Sequence, residues 1–327
     1  MNFSSVYICC PANVVTGGPE LLHQFASKLQ DNGVDSYLIY YPFEHNFDTP
    51  KQYKHYNVRV ATLGSVKNDS LVVLPETATV LAKKFSHQQL AIWWLSVDNY
   101  YGCPPESFGL PKFKHLAALV RNKKLSINKM KGFIHLHQSE YARLLLAKHN
   151  IHSMQMTDYI SSFHFRSETK NSLENKKKII SYNPKKGVEM TRKIITACPE
   201  FTFVPLENMT AQEVNETLSN SMIYIDFGNH PGKDRFPREA ALANCCIITG
   251  RRGSAKNMID VSIPERFKLD ENDDNLIDIY KKMCNKIFKD FSIQIEAFEK
   301  YRESIKSEGE RFEQNVNEFM RKYIISK

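Results

Sequence analysis

Val6-Tyr7-Ile8-Cys9-Cys10 is a short apolar run of strand type, and the segment after it decides the fold. Residues 11–18 form a loop that ends in Gly17-Gly18 and leads into Pro19-Glu20. Leu21, Leu22, Phe25, Ala26 and Leu29 then recur at helical spacing, and Asn32-Gly33 closes that helix. Residues 35–40 are a second strand. Strand, glycine-bearing loop, helix and strand make a βαβ unit, which implies a parallel sheet.

The same alternation extends outward. Strand-like runs fall at residues 58–63, 71–74, 90–95 and 133–136, with helical stretches at 77–85 and 139–149. Residues 166–178 are polar and charged without apolar periodicity, and read as a linker. The pattern then restarts. Strands are expected at 179–182, 201–206, 222–225 and 245–248, with helices at 188–197, from Thr210 onward and at 237–244. Thr210 with Glu213 three residues on is a capping box. Long helices are expected over 273–288 and 293–323. The fold class is therefore α/β, with two Rossmann-like doubly wound domains at 1–165 and 179–290. A C-terminal helix within 291–327 is expected to cross back onto the first.

Bulk properties agree. At 327 residues the chain exceeds the size at which single cores split. The net charge of +8 fits an ordinary soluble basic surface, an anionic ligand or an anionic membrane face. Nucleic acid is excluded as a partner, since no arginine-rich arm, zinc finger or aromatic RNA-binding signature is present. The 7 cysteines show no C-x-x-C spacing and read as free core thiols of a reducing compartment. No signal-type leader precedes the first strand, and no apolar run approaches the ~18 residues of a membrane helix. The expected location is the cytoplasm, with peripheral contact at the inner membrane face.

Ligands of open α/β sheets bind beyond the carboxyl ends of the strands, so the loops there hold the candidate residues. Gly17 and Gly18 open a helix and let backbone N–H groups meet an anion, or simply make a tight turn. Lys185 and Lys186 leave a strand at a helix start, where they meet a diphosphate or only solvent. The densest loop runs from Asp226 through His230, Lys233, Asp234 and Arg235 to Glu239. Arginine suits diphosphate oxygens, and a carboxylate at a helix start can accept from a ribose diol. Gly253, Ser254 and Ala255 follow a further strand and could cradle phosphate.

Together these segments resemble the GT-B glycosyltransferases, in the broad superfamily of the family-four (group 1) retaining enzymes. Gly17-Gly18-Pro19-Glu20 is similar to its first-domain Gly-Gly-x-Glu loop, and Tyr182 to Gly187 to the opening of its second domain. Glu239-Ala240-Ala241-Leu242-Ala243-Asn244-Cys245-Cys246-Ile247-Ile248 resembles its Glu-Ala-x-Ala-x-Gly-x-Pro-Val segment. The resemblance implies two domains facing a central cleft, a nucleotide-sugar donor and a saccharide or lipid-linked saccharide acceptor. It implies no cofactor and no bound metal. The ribose-binding acid carries over onto Glu239, and the diphosphate binders onto Lys185 or Lys186. The family's other Glu, eight positions earlier, falls on Pro231, and His230, Lys233 and Asp234 are the substitutes at hand. Catalytic candidates are Asp98, His137 and His230, with His135 and Glu20 as further bases and Trp93 or Trp94 as a stacking surface or core. The acidic run at 270–274 precedes a helix and reads as capping. Bacterial surface polysaccharide or glycoconjugate assembly is the expected setting. A sugar-nucleotide epimerase of the same fold and a non-catalytic sugar-nucleotide-binding subunit remain alternatives.

Overall fold

The structure, a computed structural model, describes residues 3–161 and 173–324. The chain divides into two compact units, one of Met1–Asp158 with Gly309–Lys327 and one of Tyr159–Glu308. Residues 166–172 of the expected linker lie outside the described residues.

The first unit holds a parallel six-stranded sheet, formed by β1 (Ser5–Pro11), β2 (Asp35–Tyr41), β3 (Leu71–Pro75), β4 (Gln89–Trp94), β5 (Ile134–His137) and β6 (Met154–Gln155). Their order is β2-β1-β3-β4-β5-β6. The inner strands β1, β3 and β4 are buried nearly throughout, which is why they read as continuous apolar runs rather than alternating ones. The helices are α1 (Gly17–Asp31), α2 (Val97–Tyr101), α3 (Leu110–Val120), α4 (Ile127–Met130) and α5 (Glu140–Lys148). The strand expected at 58–63 is only an isolated bridge of Val60 to Leu38 at the outer edge of β2. Polar Arg59 and Thr62 interrupt that run, and Arg59 turns back to donate to the Val34 carbonyl.

The second unit carries β7 (Lys177–Tyr182), β8 (Thr202–Pro205), β9 (Ser221–Asp226) and β10 (Cys246–Thr249), all parallel, in the order β10-β9-β7-β8. Helices α6 (Val188–Ala197), α7 (Ala211–Asn220), α8 (Arg235–Leu242) and α9 (Leu276–Lys289) accompany them. The Thr210–Glu213 capping box opens α7. β7 begins two residues ahead of its expected start, and Lys176 just before it is not a solvated linker residue. Its ammonium is buried and donates to the carbonyls of Leu218, Ser221 and Ala243 at 2.9, 2.8 and 2.6 Å.

The single helix expected over 293–323 is three: α10 (Phe291–Glu296), α11 (Glu299–Lys306) and α12 (Glu308–Tyr323). Phe298, Tyr301 and Ile305 are buried in the core of the second unit. From Gly309 onward the chain belongs to the first unit, where the Phe319 ring meets Phe25 edge to face. Residues 298–305 and 312–319 thus serve different cores, and the helix ends at Ser307 between them.

Candidate functional site

In each sheet the strand order reverses at one place. It does so between β1 and β3 in the first unit and between β7 and β9 in the second. Loops leaving strands at such a point splay apart and leave a crevice. The expected glycine and lysine loops follow β1 and β7, at these two points.

At the first, α1 starts at Gly17 with Thr16 as its N-cap residue, and residues 13–17 are exposed. A Cβ on Gly17 would meet nothing, and one on Gly18 would make only ordinary contact with Leu95. The fold therefore does not itself require glycine at either position. Bare backbone at an exposed helix N-terminus suits close approach of an anion.

In the second unit three loops are fastened together. A Cβ on Gly187 would run into the backbone of Phe227 and Gly228, and one on Gly253 into the His230 carbonyl. Both glycines have positive φ, 60° and 58°. Ser254 adds its N–H to the His230 carbonyl (2.8 Å) and its hydroxyl to the Gly232 carbonyl (2.6 Å). The loops after β7, β9 and β10 thus form one body.

The candidate side chains divide accordingly. Lys185 is exposed, its own N–H held by the Asn183 side chain (3.0 Å), which shapes the turn. Lys186 donates to both oxygens of Asp234 at 2.8 Å, from a partly exposed position. Arg235 pairs with Glu239 one helical turn on, 3.1 Å apart, with the carboxylate buried and the guanidinium 39% exposed. Lys186 and Arg235 are thus each paired with a carboxylate, beside the exposed Lys185.

Other expectations need correction. His230 has no exposed side-chain surface, so it cannot touch a substrate as a catalytic group. Its ring lies between the Asp226 carboxylate (3.5 Å) at the strand end and the Asp234 carboxylate (3.2 Å) just before α8, hydrogen-bonded to neither. Lys233 turns inward to Glu308 (2.7 Å), beside the buried Arg238–Glu308 pair (2.7 Å), and is not a donor ligand. Ser254 and Ala255 are wholly buried with their amides spent on His230 and Arg252, so neither cradles phosphate. Gly253 is glycine because of its φ and its close packing. The acidic run does not cap a helix. Asp270 and Asp273 accept from the N–H groups of Asn272 and Asn275 in turns before α9 begins at Leu276.

Glu271 of that run was not singled out by sequence. A bridge between Lys268 and Thr249 carries it alongside β10, where it packs under Gly250 and pairs with Arg252 at 2.6 Å. Burial pushes its carboxyl pKa up against the pull of Arg252. Only the pairing to β10 brings it there, and an acidic surface turn gives no sign of that.

Asp226, His230 and Asp234 each offer one ligand atom, all within 4.8 Å of one another. The two carboxylates are already engaged, Asp234 by the Lys186 ammonium and Asp226 by the Gly228 N–H (2.9 Å) and the Tyr224 hydroxyl (3.1 Å). A cation there would have to displace the Lys186 ammonium, while both His230 ring nitrogens are buried without a hydrogen bond.

In the first unit, Asp98 lies in the first turn of α2 after β4, nearly buried, and accepts from the Tyr141 hydroxyl at 2.9 Å. His137 ends the neighbouring strand β5 and contacts the Ser153 hydroxyl through Nδ1 at 2.9 Å. Burial, helped by Arg143, lowers the His137 pKa to about 4, so its ring is neutral at pH 7. His135 is held between the Trp94 indole N–H (3.0 Å) and the Met130 carbonyl (2.9 Å), and Glu20 is buried under the Tyr56 hydroxyl (3.0 Å). Trp93 and Trp94 are wholly buried, so the stacking role falls away and both are core.

No protein-family model matches the sequence, and neither does any curated protein. Solved structures do. The Anabaena protein HepE, in complex with UDP-glucose, superposes with a TM-score of 0.67 at 9% identity, covering 97% of this chain and 99% of that one. A glycosyltransferase from Rickettsia africae gives 0.64 at 15% identity over 99% and 98%. Sucrose-phosphate synthase from Thermosynechococcus elongatus gives 0.65 at 10% identity over 98% of each chain. The chain has the GT-B fold. Its two units are the Rossmann-like domains of GT-B proteins, and this is a divergent example of them. Similarity at these identities fixes the GT-B architecture, while the chemistry must come from the loops. Among the described residues, no helix is long and apolar enough to cross a membrane.

Proposed function

We propose that this chain is a glycosyltransferase that moves a sugar from a nucleotide-sugar donor to a hydroxyl acceptor without a bound metal. The observation that carries the reading is the fastened loop body at the switch point of the second sheet, with Lys185, Lys186 and Arg235 beside the buried Glu239 carboxylate. The donor's diphosphate lies against Lys185, Lys186 and Arg235, which meet the charge that grows on the leaving group. Glu239 accepts from the ribose diol, held in place by Arg235. Glycine packing locks the loops that carry these cations, so their backbone needs little rearrangement during transfer.

On the acceptor side, Asp98 lies in the first turn of α2 after β4, and His137 ends the adjacent strand β5. An inverting transfer needs a base for the acceptor hydroxyl, and Asp98 or His137, whose ring is neutral at pH 7, is the candidate for it. Gly17 and Gly18 leave backbone N–H groups for the donor at the α1 terminus. The sugar unit is a hexose and the setting is surface polysaccharide or glycoconjugate assembly, by analogy with the family-four enzymes. The net charge of +8 suits cytoplasmic work beside an anionic membrane carrying lipid-linked acceptors.

A thermal-shift panel of sugar nucleotides and nucleoside diphosphates tests the donor site, with and without EDTA, on wild type and Glu239→Ala. A ligand at a hundred times its Kd adds about 2.7 kcal/mol to native stability. One nucleotide should raise the melting temperature of the wild type, unaffected by EDTA, and not that of the variant. No shift with any nucleotide, in folded protein, would overturn the reading.

A further inference from the structure

Among the described residues, the longest exposed apolar stretch is on the first unit, far in sequence from the donor loops. Phe108 is 88% exposed, Leu110 66%, Phe113 67% and Val120 82%, with Leu116 half exposed between them. On α3, Leu110, Phe113, Leu116 and Val120 fall within about 120° of the helix circumference, one continuous stripe. The one buried residue of α3 is His115, on roughly the opposite side, its ring against Tyr100 (5.1 Å) and Tyr101 (4.9 Å). The helix is therefore attached by its back and presents its apolar face outward. An amphipathic helix usually does the reverse and buries that face.

The charges around the stripe are of one sign. Lys112 and Lys114 flank it, and Arg121 and Lys123 follow at its end. Residues 107–125 contain no Asp or Glu. Lys124 is the exception in orientation, since it is pinned to the carbonyls of Asn99 and Tyr100 and anchors the segment. The Tyr100 hydroxyl, bonded to the Leu125 carbonyl at 2.7 Å, fixes the other side of that anchor.

We propose that this face docks on an anionic lipid bilayer, with Phe108, Leu110, Phe113 and Val120 entering the headgroup–acyl boundary and the four outward cations meeting lipid phosphates. Exposed aromatic and aliphatic side chains ringed by lysine are the composition of an interfacial helix. A second copy of the chain is the poorer occupant. A two-fold contact through this face would bring the same cations together with no carboxylate on it to pair them. The proposal deepens the peripheral-membrane part of the proposed function and does not depend on the donor site.

The test is co-sedimentation of the full chain with vesicles of phosphatidylcholine alone or with added phosphatidylglycerol, at low and physiological salt. Wild type should pellet with the anionic vesicles and little with the neutral ones. Phe108→Ser/Phe113→Ser/Val120→Ser should abolish pelleting. Lys112→Glu/Lys114→Glu/Arg121→Glu/Lys123→Glu should weaken it at least about tenfold. All the substituted side chains are on the outside of a helix or loop, so both variants should melt as wild type does. They should also keep the nucleotide-induced shift, which separates failure here from failure of the donor reading. Wild type left in the supernatant with anionic vesicles overturns the proposal, as does a serine variant that pellets like wild type. A wild-type dimer made monomeric by the serine substitutions, without vesicle binding, would assign the face to self-association instead.

Discussion

Single ionisable residues in this fold are placed by what surrounds them more than by their type. Glu76, just past β3, is buried, and desolvation raises its carboxyl pKa from the usual 4.5 to about 7 even though the Leu95 N–H donates to it at 3.0 Å. The folded state holds this proton more tightly than the unfolded chain does. Its contribution is therefore fully present below about pH 4.5 and lost as the pH rises through about 7. That span is worth roughly 3 kcal/mol. Glu76→Gln carries no such charge, so urea titrations should find it more stable than wild type at pH 8, with the difference shrinking toward pH 5. Equal pH dependence of the two proteins would show that Glu76 titrates normally. Lys176 illustrates the same rule for a cation. It sits in the most basic run of the sequence, yet burial lowers its pKa and three carbonyls surround its ammonium.

Elements were more legible than the atoms they deliver. The alternation of short apolar runs and helical periods, visible from Val6 through Thr249, gave both parallel sheets, because a fully buried parallel strand is apolar on both faces. The region after residue 290 misled because periodicity shows that a helix has an apolar face but not which core receives it. Glycines were legible as loop markers and illegible in purpose. Gly17 and Gly253 look alike in sequence, but the first borders open space and the second abuts the His230 carbonyl. Gly17→Ala should melt within about 1 kcal/mol of wild type and lose affinity for the anionic ligand. Gly253→Ala should cost about 2 kcal/mol or more, because a Cβ collides with backbone at a positive φ. Calorimetry beside ligand titration distinguishes the two, and a fully stable Gly253→Ala would contradict the packing described. Ser254 and Ala255 produced the same illusion, since a small-residue turn reads as a phosphate cradle until its amides are seen to be spent on His230 and Arg252.

At the scale of the whole molecule, two cores are served by one chain in an interleaved order. Phe312, Val316 and Phe319 of α12 are buried, Asn315 accepts from the Thr157 N–H at 3.1 Å, and Phe3 pairs with Ile324. The first unit is therefore built from both ends of the sequence, and the second from a single internal stretch. Phe319→Ala should destabilise the first unit by about 3–5 kcal/mol. Two-transition denaturation should register that loss in one transition only, while the nucleotide-dependent increment stays with the other. A loss shared equally between both would mean that the units unfold together. The resemblance read from Gly17–Glu20, Tyr182–Gly187 and Glu239–Ile248 reached as far as the architecture. It could not reach the roles of His230 and Lys233, whose partners are an acid on the preceding strand and one 75 residues downstream.

The return of α12 also sets an order of manufacture. As the chain leaves the ribosome, the first 158 residues emerge with Phe25 lacking the Phe319 ring that packs on it. The second unit has all of its residues by Glu308, before α12 has been made. The unit that opens the sequence is thus completed last, and a chain truncated before Phe312 would carry every residue of one unit and leave the core of the other unfilled.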